Sequence, residues 1–360
     1  MMLDRTSDSA GAGSLPASPL SERVTGPEVL VSPPPVPGLS WRPATRADLP
    51  ALLDLEVAVN AVDSPDSAVD LDDIASRFDA VGFDPELDGI VAVDVEGRVV
   101  AYGEAYFEAS GEAIATVHLN GHVHPEHRRR GIGSELLAWQ EGRGLQHLAG
   151  SPLRLPGVLS ALVEHEAAAQ RAVFARAGFV PARWWLEMER DLEMTIPEVR
   201  LDPALRIEPY AARWSEPARA AINAAFRDHW GSQPTSREEW DEAQKSDDFR
   251  PGWSAVAVAT LPDHTEVVVG AITVETDEDE WALTGYPFAT VDELGVLSEW
   301  RGRGIAKALL TWSMRDMHAA GIARATLDVD DASPTGAQAL YGSLGFVETG
   351  RSVTYAKTFA

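Results

Sequence analysis

A turn rich in Arg and Gly occurs twice in this chain, and its repetition constrains the fold more than any other feature. The later copy, Glu293–Leu310, reads as a strand, a tight turn and the start of an amphipathic helix, and the earlier copy is His122–Leu137. Glycine has no Cβ, so its backbone can turn back sharply and approach a ligand closely. The first amides of a helix lack a carbonyl partner, and the helix dipole adds positive charge there. Each turn therefore predicts an anion site that would suit a pyrophosphate.

The two turns belong to a longer repeat. Arg301 follows Arg128 by 173 positions, and Phe346 follows Phe179 by 167 positions. The same order of apolar strand and helix patterns surrounds both copies. A near-constant offset with matched element order indicates a tandem duplication.

The duplication predicts two domains. Residues 39–193 form the first domain, residues 204–360 the second, and residues 194–203 a linker. We expect an α/β fold in which each unit has a mixed, mostly antiparallel sheet flanked by helices. Residues 1–38 are rich in Ser, Pro, Gly and Ala and contain few large apolar side chains, so we expect a disordered N-terminal tail.

The composition excludes several classes of function. The chain has 360 residues, a formal net charge of −26 and no Cys. The absence of Cys excludes disulfides, thiolate metal ligands and a Cys nucleophile. The negative charge disfavours nucleic acid as a partner and favours small cationic molecules. No apolar run reaches the roughly 18 residues of a membrane span, and no signal peptide is recognisable, so we expect a cytoplasmic enzyme or binding protein.

With the two Gly turns at Arg128–Gly133 and Arg301–Ala306 and the segment Ala337–Phe346, this chain resembles in both halves the GNAT superfamily of acyl-CoA-dependent N-acetyltransferases. The Arg-x-x-Gly-x-Gly/Ala signature of that family is matched by Arg128–Gly133 and by Arg301–Ala306. A second landmark, Ala-x-x-Leu-Tyr-x-x-x-Gly-Phe, is matched by Ala337–Phe346. Over nearly all of residues 39–360 the layout is similar to that of the actinobacterial tandem group that includes mycothiol synthase. The resemblance implies transfer of an acetyl group from acetyl-CoA to a small-molecule amine, without a metal, by a monomer or a homodimer.

The resemblance also implies where the coenzyme binds. In the second half the implied contacts are Leu294, Val296, Leu297, Arg301, Gly302, Arg303, Gly304, Ile305 and Ala306. In the first half they are Val123, Arg128, Arg129, Arg130, Gly131, Ile132 and Gly133. The strand backbone would meet the pantetheine arm, and the guanidinium group of Arg301 or Arg303 would assist the turn amides at the pyrophosphate. Many relatives have an Asn just before the helix that carries the Tyr of the second landmark. In this chain Ser333 lies in that stretch, where it can cap the helix and replace part of the role of the Asn.

The same comparison implies the catalytic groups. Tyr341 occupies the position of the family's usual acid, which protonates the coenzyme A sulfur; a core aromatic is the alternative reading. For the base, Glu293 is preferred over Asp328, and a water chain could replace both. The first half has Phe174 at the acid position, and a phenyl ring cannot donate a proton. We therefore expect catalysis in the second half, with the first half binding acetyl-CoA without turnover or serving structure.

The acceptor contacts are expected between the first two helices of the second half, at Asp228, His229 and Trp230, which suit a cationic amine through charge and cation–π contact. Anchoring of a loop is an equal alternative. His118, Asn120 and His122 alternate along a strand of the first half and share one face, as a set of satisfied polar residues rather than a metal site. Two other functions remain open at this point: a non-catalytic acetyl-CoA-binding protein and a protein-acetylating regulator.

Overall fold

The computed structural model describes residue 16 and residues 18–65, 67–108, 113–227, 234–333 and 335–360. Apart from the four-residue helices Leu20–Arg23, Pro85–Asp88 and Trp281–Thr284, strands and helices follow one another in the same order in its two halves. The elements of the first half are α1 (Leu20–Arg23), β1 (Leu39–Pro43), α2 (Leu49–Asp63), α3 (Leu71–Phe78), α4 (Pro85–Asp88), β2 (Gly89–Asp94), β3 (Val99–Glu108), β4 (Ala115–Val123), α5 (Ile132–Gly150), β5 (Gly157–Glu164), α6 (Ala168–Arg176) and β6 (Val180–Asp191). Those of the second half are β7 (Leu205–Pro209), α7 (Ser215–Phe226), α8 (Arg237–Ala243), β8 (Ala255–Thr260), β9 (Glu266–Glu275), α9 (Trp281–Thr284), β10 (Phe288–Val296), α10 (Ile305–Ala319), β11 (Arg324–Asp330), α11 (Ala337–Ser343) and β12 (Val347–Phe359).

The strands of the described residues join in one sheet of twelve, in the order β1-β2-β3-β4-β5-β12-β6-β11-β10-β9-β8-β7. β4 runs parallel to β5 and β10 parallel to β11, whereas the other neighbours are antiparallel. The long helices α5 and α10 pack on β3–β4 and on β8–β9, and α7 packs on β9 and β10. The predicted α/β fold, mixed and mostly antiparallel in each half, is confirmed.

The last strand of each half lies inside the sheet of the other half. β12 is inserted between β5 and β6, and β6 is inserted between β12 and β11. Leu186 and Met188 of β6 belong to the core of the second half, and Val353 and Tyr355 of β12 belong to the core of the first. The boundaries predicted at 193 and 204 thus divide the sequence repeat, whereas the sheet is continuous across them.

The parallel strand pairs separate soon after they begin, which leaves a V-shaped opening in each half. Pairing of β10 with β11 ends at Thr290 and Thr326, and pairing of β4 with β5 ends at His118 and Ser160. β10 stays paired with β9 as far as Val296. One edge of β10 therefore has no strand partner beyond Thr290, and its backbone groups can bond to a ligand.

The segment before β1 packs on the first half. Leu20 of α1 has no exposed surface, and Val24 is only 6% exposed; both belong to the first core. The N–H of Leu20 donates to the carbonyl of Leu153 at 2.9 Å. Gly26 approaches α5 so closely that a Cβ would lie 2.8 Å from the carbonyl oxygen of Leu145. The prediction of disorder over residues 1–38 is therefore wrong from residue 18 onward, because a few well-placed apolar residues suffice to hold a Pro-rich segment against a helix.

This segment has a second copy in the predicted linker. Thr25-x-Pro-Glu-Val29 and Thr195-x-Pro-Glu-Val199 are separated by 170 positions. The Pro carbonyl of the first copy accepts from Gln146 of α5 at 2.9 Å, and that of the second accepts from Arg315 of α10 at 2.6 Å. Each half therefore has a strap along the helix that follows its Gly turn, and the duplication begins before residue 39.

We expect Leu20→Ala to lower the free energy of unfolding by about 2–5 kcal/mol, because it removes a buried side chain and leaves a cavity. Urea denaturation measures the change. The control Val29→Ala truncates a side chain of the same segment that is 74% exposed, and its effect should stay within about 0.5 kcal/mol. Equal, small losses in the two variants would contradict the packing of α1.

Candidate active site

The turn between β10 and α10 presents the start of a helix to an open cleft. Gly302 and Gly304 have φ values of 76° and 79°, in the left-handed region that glycine adopts without strain. Gly304 directly precedes α10 and, with Ile305 and Ala306, lines the cleft. The first amides of α10 have no partner within the helix and lie at the positive end of its dipole. The turn therefore has the features of an anion site.

The cleft beside this turn has a volume of about 700 Å³ and extends to β11 and α11. The predicted residues in its wall are Leu294, Val296, Arg301, Gly302, Gly304, Ile305, Ala306, Asp328, Ser333 and Tyr341. Three others, Glu293, Leu297 and Arg303, are not among the wall residues. The structure thus places the turn between β10 and α10, the unpaired edge of β10 and the helix α11 around one cleft.

The two arginines of the turn have partners within the protein. The Nε of Arg301 donates to the carbonyl of Val296 at 3.2 Å, and its Nη2 donates to the carbonyl of Ala225 at 2.8 Å. The guanidinium group of Arg303 lies 4.6 Å from the ring centroid of Trp300. Arg301 therefore ties the end of α7 to the end of β10 and positions the turn. The cation that lines the cleft in the first turn of α10 is Lys307.

Tyr341 is the wall residue whose chemistry is most specific. Its side chain is 8% exposed and packs on Phe346, with ring centroids 5.9 Å apart. Its hydroxyl forms no hydrogen bond with any described residue, and burial raises the pKa of Tyr341 to about 12. A buried phenol that stays protonated at neutral pH and borders a cleft can donate a proton to a group bound there.

Glu293 lies next to the wall, on β10. Its backbone N–H donates to Thr273 Oγ1 at 3.1 Å, and its Oε2 is buried without a hydrogen-bond partner in the part of the chain described. Burial, assisted by the charge of Asp292, raises the pKa of Glu293 to about 7. A carboxylate with a pKa near neutrality suits proton transfer in either direction.

Asp328 lines the cleft from β11, and desolvation by the surrounding sheet raises its pKa. The register of β9, β10 and β11 puts Asp328 and Glu293 on one face of the sheet. That face is covered in part by α7, which packs so tightly that a Cβ on Gly295 would lie 3.3 Å from the Cα of Ile222. Both predicted base candidates therefore lie on the same side of the sheet, and Asp328 borders the open space.

Ser333 lines the cleft but does not cap α11. The residue before the helix is Gly336, with a φ of 69°, and no side chain caps the first turn. The Oγ of Ser333 lies 2.9 Å from the Oγ1 of Thr335 instead. The predicted capping role is wrong because the helix begins three residues later than a Ser333 cap requires.

Several wall residues escaped sequence reasoning. They are Trp185, Phe226, Asp292 and Lys307. Trp185 reaches the cleft because β6 crosses into the second half, and Asp292 because a bulge interrupts the pairing of β10 with β9 between Val291 and Glu293. Only Lys307 carried a usable signal, because it is one of three Lys in the chain and falls in the first turn of the helix. The predicted acceptor contacts Asp228, His229 and Trp230 lie outside the described residues.

The Gly turn of the first half has the same backbone but different surroundings. Gly131 precedes α5 with a φ of 85°, and Arg129 has a φ of 62° at the position equivalent to Gly302. Arg128 pairs with Asp63 at 2.6 Å, and the Nη2 of Arg130 donates to the carbonyl of Pro37 at 2.8 Å. Two of its three guanidinium groups are thus bound to the protein.

The hydrophobic residues of this turn are also covered. Ile132 is buried, and Val123 packs beside it together with Val36, Leu39 and Trp41. A Cβ on Gly133 would lie 3.8 Å from Val123. The segment that follows the N-terminal strap therefore lies, at Val36, against the Gly turn of the first half. The role of that turn as a coenzyme site stays a prediction.

Phe174 occupies the place in the first half that Tyr341 occupies in the second. Its ring is 7% exposed and lies 5.4 Å from Phe179 and 5.7 Å from Tyr355, centroid to centroid. Phe174 is therefore part of the core, and it offers no proton.

The polar residues of β4 have protein partners. Asn120 Nδ2 donates to Glu104 at 3.0 Å, and His118 Nε2 lies 3.2 Å from Glu108 Oε2. His122 lies 3.9 Å from Glu56, which is also paired with Arg77. Among the residues whose positions are described, no three His, Asp or Glu side chains are placed to hold a metal ion, and no helix is both long and apolar enough to cross a bilayer.

Comparison with known proteins identifies both halves. Residues 219–346 match the Acetyltransferase (GNAT) family, and residues 86–181 match the Acetyltransferase (GNAT) domain. A protein of Thermobispora bispora named mycothiol acetyltransferase is 30% identical over 259 residues, which cover 71% of this chain and 78% of the relative.

Solved structures show the same architecture. A GCN5-related N-acetyltransferase from Sphaerobacter thermophilus superposes with a TM-score of 0.68 at 22% identity, over 93% of this chain and 97% of the other. A tandem GNAT protein from the clavulanic acid biosynthesis pathway superposes with a TM-score of 0.63 at 18% identity, over 89% of this chain and 99% of the other. At these identities the likeness is one of fold.

The raised pKa of Glu293 predicts a dependence of stability on pH. Between about 4.5, the ordinary value, and about 7, the folded state retains a proton that the unfolded state has lost, so stability falls as pH rises. We expect wild-type protein to lose stability over this window relative to Glu293→Gln, which cannot ionise. Urea denaturation at a series of pH values tests this, with Glu299→Gln, an exposed carboxylate of the following turn, as the control. A difference between wild type and Glu293→Gln that does not change with pH would contradict the assignment.

Proposed function

The chain belongs to the GNAT family of N-acetyltransferases, and from that premise we propose that its second half, residues 204–360, transfers an acetyl group from acetyl-CoA to the amine of a small cationic acceptor. The observation that carries the proposal is the hydroxyl of Tyr341, which forms no hydrogen bond with a described residue and lies in the cleft that begins at the Gly302–Ala306 turn. The first half has Phe174 at the matching position, inside its core. One half therefore has an acid beside its turn, and the other does not.

The cleft fits an acyl-CoA substrate in three respects. The start of α10 supplies backbone amides and a positive dipole end for a pyrophosphate, and Lys307 adds a charge beside them. The unpaired edge of β10 offers backbone groups to an amide-containing arm. The volume of about 700 Å³ admits a ligand that extends from the turn to Tyr341.

The proton transfers follow from the two groups with raised pKa values. An ammonium group is not a nucleophile, so the acceptor must lose a proton, and Glu293, which lies next to the cleft wall and has a pKa of about 7, can take it through a water at neutral pH. Tyr341 stays protonated because its pKa is about 12. Its hydroxyl would give a proton to the leaving sulfur. Asp328, on the same face as Glu293, is the second candidate for the base.

The acceptor class rests on charge. The net charge is −26, and Asp292 and Asp328 line the cleft. A cationic acceptor would be concentrated by this field. The precursor of mycothiol is a specific candidate, because relatives that cover most of this chain carry the name mycothiol acetyltransferase. A non-catalytic acetyl-CoA-binding protein is the alternative.

Replacement of the acid separates catalysis from binding. We expect Tyr341→Phe to lower kcat by about 10²-fold or more, the usual worth of a positioned acid, with acetyl-CoA affinity retained because the turn is untouched. Coenzyme A release measures kcat, and calorimetry measures affinity. Tyr355→Phe, a buried tyrosine of the first core, is the matched control and should keep its kcat. Unchanged turnover in Tyr341→Phe at neutral and alkaline pH would show that Tyr341 is not the acid.

Matched substitutions in the two turns assign the coenzyme to one half. Gly304 and Gly131 have nearly the same left-handed conformation, so Glu at either position adds similar strain and the same negative charge. We expect Gly304→Glu to abolish acetyl-CoA binding and turnover through repulsion at the helix start, while Gly131→Glu retains turnover. Calorimetry and coenzyme A release measure the two effects. Loss of turnover in Gly131→Glu alone would place the reaction in the first half.

An amine library identifies the acceptor. Coenzyme A release is measured over small amines, amino sugars, aminoglycosides and the mycothiol precursor. Turnover of the mycothiol precursor well above every other amine would select that reaction. Tight acetyl-CoA binding without turnover on any amine would favour the non-catalytic alternative.

A further inference from the structure

We propose that three carboxylates at the junction of the two halves, Glu164, Glu187 and Asp328, bind a second ammonium group of the acceptor, apart from the amine that is acetylated. We call these residues the junction carboxylates. The inference rests on the proposed function and selects, among its candidate acceptors, molecules with two or more amino groups, such as diamines, oligoamines and aminoglycosides, over the mycothiol precursor.

The strand exchange brings the junction carboxylates onto one face of the sheet. Glu187 of β6 lies directly opposite Asp328 of β11, and residues paired in this way have Cβ atoms about 4.5–5.5 Å apart. Glu164 of β5 lies opposite Ser352 of β12, which in turn lies opposite Trp185 on the same face of β6 as Glu187. The cluster therefore spans β5, β12, β6 and β11, and neither half forms it alone.

The backbone makes room for the central carboxylate. Gly350 of β12 lies opposite Glu187, and a Cβ at Gly350 would overlap the Oε2 of Glu187. The pairing of β12 with β6 shifts register at this point, between Glu348 and Gly350. The carboxylate of Glu187 can lie over β12, toward Glu164, because that position has no side chain.

The junction carboxylates have no counterion among the residues that the structure describes. None of the three forms an ion pair with another described residue. Two nearby arginines are paired elsewhere: Arg351 of β12 with Glu348, and Arg324 of β11 with Asp191 at 2.9 Å. Desolvation, together with the charges of their acidic neighbours, raises the pKa of Glu164 and of Glu187. A bound cation would relieve this repulsion.

An independent observation connects the cluster to a ligand. Tyr341, nine-tenths buried and with its hydroxyl unbonded among the described residues, lines the same cleft as Asp328. Trp185 also lines this cleft, and its indole N–H donates to Thr354 Oγ1 at 2.8 Å, which fixes the ring. An acceptor whose reacting amine approaches Tyr341 would extend its far end past Asp328 and Trp185 to Glu187. Aromatic faces attract ammonium groups, so Trp185 would reinforce the carboxylates.

The test compares acceptors that differ by one ammonium group. Coenzyme A release by the full chain is measured with α,ω-diaminoalkanes and with the n-alkylamines of equal chain length. We expect kcat/KM to favour the diamine by about tenfold or more, the effect of one charge-assisted contact. Glu187→Gln should lower this preference about tenfold by raising KM for the diamine. Glu348→Gln, an exposed carboxylate on β12, is the matched control and should keep the preference.

Glu164→Gln serves as a second variant if Glu187→Gln unfolds, which thermal denaturation would show. A wild-type enzyme that uses alkylamines as well as diamines, or a preference that survives both substitutions, would overturn the inference while the proposed function stands. If no amine of this panel or of the amine library is acetylated, the proposed function fails. Calorimetric titration of wild-type and Glu187→Gln protein with a diamine then decides whether the junction binds it: weaker binding to the variant supports the site, and equal binding rejects it.

Discussion

The antiparallel pairing of β6 with β12 joins the two halves, and most other features of the structure depend on it. Val353 of β12 is buried in the first half, and Leu186 of β6 is buried in the second. Two domains that merely dock keep separate sheets and can move relative to each other. Here an unbroken backbone ladder runs through the junction, so the relative position of the halves is determined by strand register. The cleft is lined by Trp185 from the first half and by Asp328 from the second. Its geometry is therefore also determined by the strand register.

Duplication supplied two similar scaffolds, and a few side chains give them different capacities. Phe174 packs between Phe179 and Tyr355, whereas Tyr341 leaves its hydroxyl at the wall of a cleft. In the Gly turn of the first half, Arg128 and Arg130 are bonded to other residues of the protein. In the second half, carboxylates instead lie together in a partly desolvated environment, which disfavours their ionisation. Such an environment suits both proton transfer and the binding of cations.

Much of the fold was predictable because it rests on local patterns. Alternating apolar residues and Gly turns located the strands and helices, and the repeat doubled the signal. The exchange of the last strands between the halves was not predictable, since the apolar alternation of β6 suits a position in either half and does not indicate which strand will pair with it. The role of Tyr341 came from a family resemblance, not from periodicity. The place of Asp292 in the cleft wall depends on a bulge, which composition does not reveal. The packing of the N-terminal segment depends on the single well-placed side chain of Leu20, which composition does not reveal either.

The exchange of last strands also sets the order in which the protein can be completed during synthesis. β5 pairs on one side with β12, which is synthesised after all the other described strands. A nascent chain that has emerged as far as residue 193 therefore has every other strand of its first half but exposes an open edge next to β5. Contacts this distant in sequence form late. Until β12 is released from the ribosome, the first half remains unfinished and has an edge available for mispairing.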